Sequence, residues 1–179
     1  MYDLNITGFM EENDLKQIEL WAAEVTANGT IVEVGSFRGR SAVCWASSCD
    51  PSVTVYCIDP FAPGVTDDPS DDYEAFKANT GYLKNIISIK GVSPYNIVYS
   101  GDPIDIFFLD AAHTNPSDLD NIEYFLPFIK KGGLLCGHDY TPEEGGLTPD
   151  ITANIKMLEQ RFNQSVTHYP GTFLWSFRM

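Results

Sequence analysis

The chain has 179 residues, 25 of them acidic and 11 basic, for a formal net charge of −14. At roughly 100–200 residues per domain this length predicts one domain, 1–179, and a composition 44% hydrophobic with 3 Trp, 9 Tyr and 11 Phe excludes an acidic disordered chain. Lys and Arg are too scarce for a nucleic-acid partner or an anionic membrane surface, which leaves a cation or a small molecule as the expected partner.

In chain order, a helical segment comes first (1–30), with Leu15, Ile18, Trp21, Ala22 and Val25 at helical spacing and Asn28-Gly29 as its stop. Ile31 to Val34 reads as a strand, Gly39 to Ser48 as a helix, and Val53 to Ile58 as a second strand. An irregular acidic stretch, 60–72, reads as a solvated loop or as part of an acceptor lid. Tyr73, Phe76, Thr80 and Leu83 resume helical spacing, and Ile86 to Ile89 form the next strand. Gly91 to Pro103 leaves no room for a crossover helix, so a short irregular link is expected. Ile104 to Leu109 is the central strand. Asn115-Pro116 carries N-cap and N1 chemistry, and the following helix is predicted to run past Ile129 to a stop at Gly132-Gly133. Leu134 to Gly137 is a fifth strand, Thr148-Pro149 opens a last helix, and 166–177 forms a terminal hairpin.

Alternating strands and helices predict an α/β fold: a seven-stranded, mostly parallel sheet with a C-terminal antiparallel hairpin and helices on both faces. Cys44, Cys49, Cys57 and Cys136 show no metal-binding spacing and read as reduced structural thiols. Neither a secretory signal nor an apolar run of about 18 residues is visible, so a soluble cytoplasmic protein is expected.

Ligands of open α/β sheets bind beyond the carboxyl ends of the strands. The residues there are Gly35, Asp59, Gly91, Asp110 and His138-Asp139. Gly35 permits a tight turn near a ligand, and Gly39 opens a helix whose free N–H groups suit an anion; a purely structural turn is the alternative. The glycine spacing fits neither a P-loop nor the dinucleotide fingerprint. Asp59 stands 24 positions after Gly35, where a carboxylate accepts ribose hydroxyls, or caps the Pro60 turn.

The run VEVGSFRGRSAV, Val32 to Val43, resembles the first motif of class I S-adenosylmethionine-dependent methyltransferases, most closely the small-molecule O-methyltransferases of the catechol O-methyltransferase type. FFLDAAHTNPSDLDNI and GGLLCGHDY further resemble a bacterial branch acting on sugars and natural products. The resemblance implies a Rossmann-like class I fold over the whole chain and methyl transfer to a small-molecule hydroxyl. It puts Glu33, Gly35, Ser36, Phe37, Gly39 and Ser41 around the methionine part of S-adenosylmethionine, Asp59 on the ribose, Gly91, Val92 and Ser93 beside the adenine, and Asp110 near the sulfonium. Arg38 and Arg40 read either as partners of the cofactor carboxylate or as solvated surface arginines.

Asp110, His138 and Asp139 end adjacent predicted strands, so they form either a divalent-cation site or a hydrogen-bonded cluster that positions the acceptor. His138 departs from the carboxylate pattern of the metal-dependent relatives, and magnesium prefers oxygen ligands. His113, on the loop after Asp110, is the candidate general base, since an imidazole titrates near neutral pH; His138 is the competing candidate. Two other classes stay open on sequence: a non-catalytic nucleotide-binding module and an NAD-dependent oxidoreductase. A chain of this length implies that any lid is short or comes from a neighbouring subunit of a homo-oligomer.

Overall fold

The computed structural model describes residues 2–62, 72–142 and 148–179. Its elements, in order, are α1 (Glu12–Glu24), β1 (Thr30–Val34), α2 (Arg40–Ser48), β2 (Thr54–Asp59), α3 (Asp72–Thr80), β3 (Ile86–Lys90), β4 (Ile104–Leu109), α4 (Ser117–Phe125), a 3-10 turn (Leu126–Phe128), β5 (Ile129–Gly137), α5 (Pro149–Phe162), β6 (Thr167–His168) and β7 (Trp175–Arg178). The strands form a seven-stranded sheet in the order β3-β2-β1-β4-β5-β7-β6. The first five run parallel, while β7 pairs antiparallel with both β5 and β6. This is the predicted Rossmann-like arrangement.

Strand alternation divides the core into two layers. Ile31, Val55, Cys57, Phe108 and Cys136 point to the face covered by α1 and α2, where Trp21 stacks on Trp45 at 6.3 Å. Val32, Val34, Phe107 and Leu135 point to the face covered by α4 and α5, where Phe107 stacks on Phe125 at 4.7 Å. The four cysteines are free, and three are buried. Among the described residues, no helix is long and apolar enough to cross a membrane.

Two boundaries differ from the sequence expectation. The helix expected to reach Gly132 ends at Phe125, because Pro127 follows and breaks the hydrogen-bond ladder. Strand β5 therefore begins at Ile129 and passes through Gly132-Gly133, where Gly132 adopts φ +82° and the pairing with β4 shifts register. The other concerns Asn115. It is not the N-cap of α4, a place taken by Pro116; its backbone N–H donates to Asp150 and its side-chain amide pairs with that of Asn154 on α5. The link 91–103 contains no helix, as expected. Most of the acidic stretch 60–72, with its lid reading, lies outside the described residues.

Strand order reverses direction at the β1–β4 boundary, which opens a crevice at the carboxyl edge. Single backbone bonds beyond the strand ends fix the edge: Gly35 N–H to Ile58 O (2.8 Å), Asp110 N–H to Val34 O (2.9 Å), Gly91 N–H to Asp59 O (3.0 Å) and His138 N–H to Leu109 O (3.1 Å). All five expected edge positions thus stand side by side.

Candidate active site

A cavity of about 550 Å³ opens along this edge. Of the residues singled out in the sequence, Gly35, Phe37, Asp59, Gly91, Val92, Ser93, Asp110, His113 and Asp139 line it. Glu33, Ser36, Gly39, Ser41 and His138 stand behind the wall. Phe9 and Ser117 line it too, without having been singled out.

The β1–α2 loop wraps around Asp59. The Asp59 carboxylate accepts the Phe37 N–H at 2.9 Å and the Phe61 N–H at 2.5 Å. Burial raises its pKa, against the pull of these amides. A carboxylate offers about four acceptor sites, so two stay available for a ligand's hydroxyls. Gly39 takes φ +91° at the N-cap of α2, packed on Thr80 and Phe76.

Glu33 is fully buried under the loop. Its Oε1 accepts the Trp45 indole N–H at 3.1 Å, while Oε2 has no partner. Burial pushes the Glu33 carboxyl up to about 7; the Ser36 and Ser41 hydroxyls and the Trp45 indole oppose this, and the Asp110 charge adds to it. Ser36 and Ser41 belong with Glu33 beneath the loop floor.

Arg38 and Arg40 fit neither expected role. Arg38 is 4% exposed and its Nε donates to Asp72 of α3 at 2.7 Å, which pins α3 beside the loop. Arg40 donates to the carbonyls of Ile6 (2.6 Å) and Met10 (2.8 Å). That clamp carries the N-terminal segment over the cavity mouth, where Phe9 stacks on Phe37 at 5.7 Å.

The polar end of the cavity gathers Asp110, His113 and Asp139. His113 adopts φ +54°, and its Nε2 lies 3.0 Å from Asp139 Oδ2 and 3.5 Å from Asp110 Oδ1. Burial depresses the imidazole, but the Asp139 hydrogen bond and the two carboxylate charges outweigh it, and its pKa rises. Asp139 moves the other way: burial disfavours its charge, yet hydrogen bonds from His113 and His138 hold it well below the usual carboxylate range. Burial raises Asp110, partly offset by the two histidines. Asp118, in the first turn of α4, is fully buried with neither carboxylate oxygen paired, and burial pushes it up to about 6, with His113 opposing.

His138 sits deeper. Its Nδ1 is 3.0 Å from Asp139 Oδ2 and its Nε2 is 3.4 Å from Asp14 Oδ2. Nδ1 is engaged by Asp139, while the buried Nε2 faces Asp14 without a hydrogen bond. Burial works against its charge, but Asp139, Asp14 and Asp110 prevail and push it up to about 10. His113 replaces His138 in the cluster whose ligating atoms converge: Asp110, His113 and Asp139 offer atoms within 4.8 Å of one another. Asp139 Oδ2, however, already faces both imidazoles, each at 3.0 Å. This donor set suits a divalent cation poorly.

The sequence profile of a family described as a methyltransferase domain matches residues 32–140. No relative is found among curated proteins. Among solved structures, the chain is similar to a methyltransferase from Geobacter sulfurreducens, with a TM-score of 0.67 at 20% identity over 96% of this chain and 82% of that one. It is similar to the O-methyltransferase from Bacillus cereus in complex with SAH, with a TM-score of 0.66 at 15% identity over 98% of this chain and 85% of that one. It is also similar to an rRNA methylase from Streptococcus thermophilus, with a TM-score of 0.62 at 18% identity over 95% and 98% of the two chains. At these identities the likeness is one of fold. The profile match runs from β1 to Tyr140, beyond the end of β5, and takes in the carboxyl edge with its cavity. The chain therefore belongs to this methyltransferase-domain family.

Proposed function

We propose that the chain transfers the methyl group of S-adenosylmethionine to a hydroxyl of a small molecule such as a sugar, a phenol or a natural-product intermediate. The observation that carries this reading is one cavity bounded by Asp59 at one end and by Asp110, His113 and Asp139 at the other. Asp59 takes the ribose, Gly91, Val92 and Ser93 border the adenine, and the Gly35–Phe37 turn faces the methionine part. Glu33, Ser36 and Ser41 act from beneath, by holding the turn. The cofactor supplies a methyl group already activated by the sulfonium charge.

The chain's own residues position the acceptor and take its proton. His113, with the Asp139 carboxylate beside it, takes the acceptor's proton as the hydroxyl oxygen attacks the methyl carbon in line. The new O–CH₃ bond forms as the S–CH₃ bond breaks, and the sulfur leaves as a neutral thioether. Asp110 lies where its negative charge complements the sulfonium. A volume of about 550 Å³ is in the range of small-molecule sites. The −14 net charge disfavours an RNA acceptor, whose phosphates need clustered cations.

Calorimetry with S-adenosylhomocysteine tests the cofactor half: Asp59→Ala is expected to weaken binding tenfold or more, and unchanged affinity would place the nucleotide elsewhere. Radiolabelled methyl transfer to a panel of sugars, phenols and RNA tests the acceptor half. Labelling of RNA alone overturns the small-molecule reading.

A further inference from the structure

Asp14 comes from α1, far from the rest of the site in sequence, yet it closes the site's charge network. It is 1% exposed; its Oδ2 accepts the Glu11 N–H at 2.9 Å and its Oδ1 the Phe173 N–H at 3.1 Å. His138, itself 4% exposed, lies against it with Nε2 at 3.4 Å. Across the ring, Nδ1 is 3.0 Å from Asp139 Oδ2 and 3.8 Å from Asp110 Oδ1, and the Phe173 ring covers an edge at 5.8 Å. Among the described residues no Lys or Arg pairs with Asp14 or Asp139. Against burial, His138 and then the two amide donors hold the Asp14 carboxyl below its usual range, and two ionised carboxylates buried in one place require a counter-charge. The imidazole between them is the group placed to carry it.

We propose that His138, clamped between Asp14 and Asp139, is the built-in cation of the acceptor site and takes the place of a divalent metal, with Asp14 as the positioning residue that holds it. The proposal rests on the reading of the cavity as a methyl-transfer site. Asp14, His138, Asp139 and His113 alternate in a chain from the N-terminal helix to the cavity. The His138 charge keeps Asp139 ionised, and Asp139 orients His113. The three carboxylates of Asp14, Asp110 and Asp139 face two imidazoles.

Three measurements decide the matter. In histidine-labelled protein, nitrogen NMR is expected to show both His138 nitrogens protonated at about pH 8, well above the usual imidazole range. A neutral ring there overturns the proposal. In Asp14→Asn the His138 ionisation is expected to fall by about one pH unit or more, a change that a purely structural role for Asp14 would not produce; an unmoved ionisation removes Asp14 from the assignment. Electron paramagnetic resonance with Mn²⁺ is expected to show no binding by the wild type up to about 1 mM, the weak end of protein cation sites. In His138→Asp, where a carboxylate replaces the cation beside Asp110 and Asp139, Mn²⁺ binding is expected to appear. Tight Mn²⁺ binding by the wild type, or methyl transfer abolished by EDTA and restored by Mg²⁺, overturns the proposal. If no acceptor is methylated, the functional reading fails on its own, while the NMR and Mn²⁺ results still decide the role of His138.

Discussion

Gly35 and Asp110 meet backbone to backbone at the crevice between β1 and β4: a Cβ on Gly35 would lie 1.7 Å from the Asp110 carbonyl oxygen. Gly35 also takes φ +97°, a region that L side chains rarely adopt. The β1–α2 and β4–α4 loops therefore depend on a missing side chain. Gly35→Ala must push them apart, at a cost of about 3 kcal/mol or more. Urea denaturation reads the loss, and calorimetry of the folded fraction is expected to show weakened S-adenosylhomocysteine binding.

Arg38 and Asp72 form an ion pair with both side chains 4% exposed. Arg38→Met strands a buried carboxylate and is expected to destabilise by about 3–5 kcal/mol, whereas removing both charges with Arg38→Met and Asp72→Leu returns much of the loss. A double-mutant cycle in urea measures the coupling. Because the pair pins α3 to the Gly35–Gly39 turn, the single variant is also expected to lose cofactor affinity.

The edge residues were legible because each follows a short apolar run broken by Gly or Asp, a pattern local to a few positions. The partners of Arg38, Arg40 and Asp14 were not. Whether Arg38 is solvated or buried depends on Asp72, and Arg40 finds its acceptors in the carbonyls of Ile6 and Met10. Asp14 shows only a capping-box spacing with Glu11, which gives no hint that its carboxylate also reaches His138. The early start of β5 was hidden by Gly132-Gly133, which reads as a helix stop and serves as a strand irregularity.

Glu33 costs the fold stability at neutral pH. Its pKa lies near 7 in the folded protein, chiefly through burial, against about 4.5 when unfolded. The unfolded chain therefore releases its proton first, and stability falls as pH rises from about 4.5 to about 7. Glu33→Gln removes this slope while keeping an acceptor for the Trp45 indole. The variant is expected to be more stable than wild type above about pH 7, by one to a few kcal/mol, and equal or weaker near pH 4. Urea curves at the two pH values check the crossing.

His138 gives the same sign of slope in a higher pH window, but through a charge that stabilises the fold instead of one that burdens it. Its folded pKa near 10 exceeds an unfolded value of about 6.5, the Asp139, Asp14 and Asp110 carboxylates having overcome burial. Its contribution is complete below about pH 6.5 and is lost as pH rises towards 10. Thermal unfolding is expected to show Tm falling across that window, and in His138→Gln the fall should flatten from a lower starting Tm.

His113 links this network to turnover. Its pKa is raised by the Asp139 hydrogen bond and the Asp110 charge against the effect of burial, so the base form appears only at higher pH than for a free imidazole. kcat is therefore expected to rise with pH along a limb whose midpoint lies above about 6.5. Asp139→Asn weakens the support for the cation and is expected to move that midpoint down, while lowering kcat because the ring loses its orientation. His113→Ala is expected to lose about 10²–10⁴-fold in kcat and to erase the limb. Its S-adenosylhomocysteine affinity should stay close to that of the wild type, because the proposed nucleotide end, Asp59 with the β1–α2 turn, is held by contacts that do not involve His113. A limb that persists in His113→Ala assigns the proton to another group.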